Sequence, residues 1–156
     1  MTTATTKMGT PTMAALLTAA ASTGAAAWKL PADLDAPKKA RALAARTVAN
    51  LDDLLVEDVR VVASELATNA VRYGRPGGEL VLAVEVTPTE VVVTVADEGN
   101  ETGCAPRINP GEREEAEGGR GLGICARLGR LRITGQAAAG WQIAVHLDLT
   151  GREAPR

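Results

Sequence analysis

Two strand-like runs, Glu79 to Val86 and Val91 to Ala96, are separated only by Thr87, Pro88, Thr89 and Glu90. A connection this short closes a hairpin, whereas parallel strands need a crossover of about a dozen residues or more. The middle of the chain is therefore committed to antiparallel pairing. Upstream the apolar pattern is helical. Ala40, Leu43, Ala44, Thr47, Val48 and Leu51 recur at helical spacing after Asp33 or Asp35, either of which can cap, with Pro37 tolerated in the first turn. Asp52 and Asp53 restart a second helix that runs to about Tyr73, with Leu55, Val59, Val62, Leu66 and Ala70 on its apolar face. Gly74, Pro76, Gly77 and Gly78 break it.

Trp28-Lys29-Leu30, ended by Pro31, reads as an edge strand. A polar stretch from Asp97 to about Arg120 follows the hairpin, long enough to suggest a lid. A short helix from about Gly121 to Leu128 and strands over Leu131 to Thr134 and Gln142 to Leu149 complete the chain. The order β-α-α-β-β-lid-α-β-β predicts an α+β fold: a two-layer α/β sandwich with a mixed, mostly antiparallel sheet and helices on one face.

The 156 residues suit one domain, expected over 26–150, with a flexible or weakly helical tail over 1–25 and a short tail over 151–156. Trp28, Tyr73 and Trp141 are the only aromatics and Phe is absent, so the core falls to Ala, Val, Leu and Ile. The formal charge of −2 argues against a broadly basic nucleic-acid surface, and the scarcity of aromatics argues against base stacking. Cys104 and Cys125 form no CxxC pair, and with His146 as the sole histidine there is no zinc-site spacing. Two free thiols in a reducing, cytoplasmic setting are expected. The Ala-rich stretch from Met13 to Ala21 is interrupted by Thr18, and no run suffices to cross a membrane.

Three short motifs carry the chemistry. Glu65 and Asn69, four apart on the second helix, project from one face, on nearly the same line as Asp58 and Arg72. In isolation this pair reads first as a solvated helix face, although Asn is an indifferent helix former. Asp97-Glu98-Gly99-Asn100 ends a hydrophobic strand, where a carboxylate meets a ligand's amino group and a glycine permits close approach; a polar strand end with turn residues has the same look. Gly118-Gly119-Arg120-Gly121-Leu122-Gly123-Ile124 runs into a helix. Backbone amides at a helix start suit phosphate, and a flexible hinge is the alternative. No Gly-Lys-Ser/Thr follows, so this is no Walker loop, and the preceding polar loop fits a dinucleotide fingerprint poorly.

Taken together and in this order, the motifs resemble the N, G1 and G2 boxes of the GHKL (Bergerat-fold) ATP-binding domains, over about Ala26 to Leu149. Within that superfamily the chain looks similar to the short bacterial ATP-binding proteins related to anti-sigma-factor serine kinases. The resemblance implies ATP and Mg²⁺ as cofactors. Asp97 and Gly99 would meet the adenine, Asn69 would supply an oxygen to Mg²⁺, and Asn100 to Gly118 would form the lid. Gly119, Gly121, Leu122 and Gly123 would line the phosphates, Arg120 would either neutralise phosphate charge there or face solvent, and Glu65 would act as general base. Two departures stand out: Tyr73 replaces a histidine common among relatives, and Gln142 falls where relatives often carry a threonine near the phosphates.

The implied activity is a serine/threonine protein kinase acting on a small regulatory protein, an anti-sigma antagonist or a sigma factor. The alternative is a non-catalytic ATP-binding module that sequesters such a partner. Direct nucleic-acid or membrane binding is not expected, and a homodimer is compatible with this group. A histidine kinase would need a phospho-acceptor His ahead of the ATP domain, and His146 lies on the final strand. ATP-driven topoisomerase or chaperone machinery would need far more chain.

Overall fold

The computed structural model describes residues 11–100, 106 and 120–151. Among these residues nine elements follow one another: α1 (Pro11–Thr23), β1 (Ala26–Pro31), α2 (Ala36–Thr47), α3 (Asp53–Tyr73), β2 (Glu79–Val86), β3 (Glu90–Asp97), α4 (Arg120–Leu128), β4 (Arg130–Gln136) and β5 (Gly140–Asp148). The strands form a five-stranded sheet in the order β1-β2-β3-β5-β4. Every pairing in it is antiparallel, so the expected mixed sheet is corrected to a purely antiparallel one.

Local chemistry sets the element ends. The Asp52 carboxylate accepts from the Leu55 amide at 3.2 Å and caps α3. Gly74 terminates α3, its amide donating to the Ala70 carbonyl at 2.9 Å. At the start of α2, Asp33 Oδ1 accepts from the Asp35 amide instead of Asp35 capping the helix itself. In the hairpin, Thr87 Oγ1 accepts from the amides of Thr89 and Glu90 at 3.3 and 3.0 Å, tying the four-residue turn to itself.

The main core lies between the sheet and α2, α3 and α4. Leu80, Leu82, Val84, Val91, Val93, Val95, Ile143, Val145 and Leu147 face Leu55, Val59, Val62, Leu66, Leu122 and Cys125. As the composition requires, it is aliphatic, with Trp28 only partly buried against it.

The opposite face differs from expectation. Met13, Leu16 and Ala20 of α1 bury themselves against Val81, Ala83 and Ala96, residues that alternate with the main-core positions of β2 and β3. Much of the segment expected as a tail is thus a formed helix of 13 residues packed on the sheet, and the helices lie on both faces rather than one. The physical reason is visible in β2, where Leu80 to Val84 is apolar without interruption: both faces of that strand need cover. Among the described residues no helix is long and apolar enough to cross a membrane.

Candidate functional site

Three of the predicted site residues are strung along or beside α3. With a rise of about 1.5 Å per residue, Glu65 and Gly74 are separated by about 13.5 Å along the helix axis, with Asn69 between them. That span is comparable to an extended nucleoside triphosphate.

At the far end, Asp97 closes β3 and is 4% exposed. An ideal Cβ on Gly74 would lie 3.4 Å from the Asp97 Cβ, so the carboxylate sits beside the C-terminus of α3. Asp97 Oδ1 accepts from the Gly99 amide at 2.6 Å and from the Trp141 amide at 3.2 Å. These two donors fix the carboxylate plane. Burial raises the Asp97 carboxyl above its ordinary value; the two amides pull it back in part, and the neighbouring Glu98 charge adds to the rise.

Gly99 adopts φ +71°. An added Cβ there would run into the Ala137 carbonyl oxygen and lie 3.0 Å from both Cα and N of Gly140. Glycine is therefore required for two reasons, its conformation and the closeness of the β4–β5 turn. A cleft lined by Arg75, Pro76, Glu98, Gly99, Asn100, Ala137 and Ala138 opens over this region.

Midway along α3, Asn69 is 8% exposed. Its Nδ2 is buried and, among the described residues, has no hydrogen-bond partner. Such a group costs about 1–3 kcal/mol and signals a missing ligand or a functional task. The solvated-face reading of this helix side does not hold at Asn69. No group of three or more His, Cys, Asp or Glu side chains suited to a metal exists among the described residues. A divalent cation here would have to be held largely by phosphate oxygens and water, with the Asn69 amide oxygen as a protein ligand, an arrangement that suits Mg²⁺.

At the near end, Glu65 of α3 faces α4. The Glu65 carboxylate occupies the space in which a side chain on Gly121 would begin. It also lies close enough to the buried Cys125 thiol to act on it: burial first, and then the Glu65 charge, push that thiol up to about 12. Arg120, Gly121, Leu122 and Gly123 form the first described turn of α4; the amides and positive dipole of a helix start suit an anion. Leu122 buries its side chain in the main core, which anchors this turn of α4 against the sheet. Gly119 and most of the expected lid lie outside the described residues.

Gln142 is placed differently from its expected position near the phosphates. It pairs with Ala96, whose side chain packs in the α1 cluster, so Gln142 belongs to the sheet face opposite α3 and α4. Tyr73 ends α3 at 42% exposure. His146 lies with Nδ1 3.1 Å from Glu90 Oε1 on β3, a strand-to-strand contact away from the site. Two contributors went unrecognised in the sequence, the Trp141 amide and the Ala137–Gly140 turn. Their one signal is the glycine pair Gly135 and Gly140 bracketing a run of alanines.

Comparison with known families places the chain. The model of the histidine kinase-like ATPase domain fits residues 30–131. A search of curated proteins found nothing that matches. The matched stretch contains α2, α3, the central hairpin, α4 and all the predicted site residues.

Proposed function

The chain belongs to the histidine kinase-like ATPase domain family, which makes it an ATP-binding domain, and on that footing we propose that it is an anti-sigma-factor-like serine/threonine protein kinase acting on a small regulatory protein. The observation that carries this reading is Glu65: a carboxylate on the helix that bears Asn69, set against the glycine-rich first turn of α4. Binding alone gives little use to a second carboxylate at the phosphate end of the site.

The residues divide the work along α3. Asp97 accepts a hydrogen bond from the exocyclic amine of adenine, which selects adenine over guanine. Asn69 would hold Mg²⁺ through its amide oxygen, and the amides of Arg120 to Gly123 would donate to phosphate oxygens. Bound Mg-ATP supplies the γ-phosphoryl group and neutralises its charge. Glu65 takes the proton from the partner's serine or threonine hydroxyl as its oxygen bonds to the γ-phosphorus, while the bond from that phosphorus to the bridging oxygen breaks and ADP leaves. An open groove between α2 and α3, whose lining includes Lys38, Arg41, Glu57, Arg60 and Glu65, is a surface on which a protein acceptor would dock.

The test is recovery of the partner by co-purification, followed by incubation with labelled ATP. Label on the partner, lost on Glu65→Gln, is the expected result. A wild-type chain that binds both partner and ATP but never labels the partner would establish the sequestering module instead.

A further inference from the structure

The β4–β5 turn forms one wall of the cleft over Gly99 and is closed by the ladder that ends at Gln136 and Gly140, but its own side chains add little hold. Ala137, Ala138 and Ala139 carry only methyl groups, and the turn is flanked by Gly135 at φ +119° and Gly140 at φ +96°. Its internal tie is the Ala139 amide to the Gln136 carbonyl at 3.2 Å. An outside anchor comes from α1. Thr12 Oγ1 donates to the Ala139 carbonyl at 2.8 Å and lies 3.1 Å from the Gly140 carbonyl oxygen, across 127 and 128 residues of sequence. The Thr12 amide adds a longer contact to Ala139 at 3.5 Å. Both contacts of Thr12, hydroxyl and amide, thus converge on the Ala139 carbonyl. Met13, Leu16 and Ala20 fix α1 to the sheet, so Thr12 is itself held in place.

We propose that Thr12 is a positioning residue for the adenine pocket: by holding the Ala139 and Gly140 carbonyls it sets the β4–β5 turn against Gly99 and keeps the Trp141 amide on Asp97. The chain of contacts is short. Gly140 precedes Trp141, whose amide reaches Asp97 Oδ1 at 3.2 Å, and the Ala137 carbonyl is the atom pressed against Gly99. The helix outside the family-matched stretch thereby acts on the base-reading end of the site. This role rests on the nucleotide reading of Asp97.

The experiment uses the full chain, with Thr12→Val removing the hydroxyl while keeping the branched shape, and Thr12→Ser keeping the hydroxyl. Two quantities are measured: hydrogen exchange of the Trp141 amide without ligand, by NMR, and ATP affinity by calorimetry. Thr12→Val should speed Trp141 exchange and weaken ATP binding by about three- to tenfold, the scale of one side-chain hydrogen bond, with Thr12→Ser within about twofold of wild type. Backbone amides of β2 serve as the control and should exchange as in the wild type. The proposal is overturned if Thr12→Val leaves both quantities unchanged, if Thr12→Ser is equally impaired, or if the β2 amides accelerate as much as Trp141. A wild-type chain that binds no ATP would sink the nucleotide reading, and the exchange comparison would still decide whether Thr12 holds the turn.

Discussion

Glu65 on α3 and Gly121 on α4 are matched across the helix pair: the carboxylate fills the volume in which any side chain at 121 would start. Two effects oppose each other in Gly121→Ala. Alanine is favoured over glycine inside a helix by about 1 kcal/mol. The atom it would displace is the end of a flexible side chain, so Glu65 can swing away at small cost. The variant should therefore melt at or near the wild-type temperature while phosphoryl transfer to the partner falls. Calorimetric melting paired with the transfer assay checks this; transfer at the wild-type rate would show that the placement of Glu65 is irrelevant to turnover.

Glu65 and Asn69 should part company in binding assays. A general base contributes about 10²- to 10⁴-fold to rate, and its proton transfer needs the second substrate, so Glu65→Gln should keep ATP affinity and lose transfer. Asn69→Ala should weaken Mg-ATP binding and transfer together. It also removes a buried donor that has no partner among the described residues, so the ligand-free variant should be no less stable than the wild type. Titration with ATP in the presence and absence of Mg²⁺, alongside thermal melts, separates the two roles. Equal behaviour of the two variants would argue against the division of labour along α3.

Asp97 sets recognition against stability. Its carboxyl is raised in the folded chain, chiefly by burial, so the folded state holds that proton more tightly than the unfolded state does. The ionised form therefore weakens the fold above the raised pKa, and acidification through that pKa relieves the penalty. Asp97→Asn removes the charge and retains an oxygen for the Gly99 and Trp141 amides. Without ligand it should melt at or above the wild-type temperature at pH 7, with the gap closing as pH falls through the raised wild-type pKa. ATP affinity should drop by about 1–3 kcal/mol. Melting curves across pH and calorimetry with ATP and GTP provide the check; a widening gap at low pH would contradict the sign.

Cys125 should be inert in the native chain. It is fully buried, and its thiol is pushed up to about 12 from a usual 9.0. About a thousandfold less thiolate follows at neutral pH, before the barrier of burial is counted. Alkylation at pH 8 followed by peptide mapping should leave Cys125 unmodified in the folded protein and label it in denaturant. Rapid native labelling would mean that α4 lifts off the core.

Much of this architecture could be read from local pattern. The hairpin followed from the four-residue gap, α3 from its aspartates, its apolar stripe and Gly74, and β1 from the apolar triplet ended by Pro31. Helix α1 did not follow, because its inward residues Met13, Leu16 and Ala20 are few and lie among alanines that carry no periodic signal. The evidence for it lay elsewhere, in the unbroken apolar run of β2, which demands cover on both faces. The site residues were legible as motifs, but their pairings were not. Glu65 meets Gly121 across 56 positions, and Trp141 reaches Asp97 across 44, contacts that only the antiparallel register and the packing of α4 create.

The strand order has a consequence for how this site can open. β3 is hydrogen-bonded on both flanks, by β2 and by β5, and Asp97 is its last residue. Fraying begins where few partners are lost, at edges and termini, and reaches a doubly flanked strand only near global unfolding. Asp97 adjoins that doubly flanked part of β3, paired with Leu80 of β2 and held by the Trp141 amide of β5. The first turn of α4 has no such flanking strands, so on the proposed reading a loosening of the chain would free the phosphates before the base.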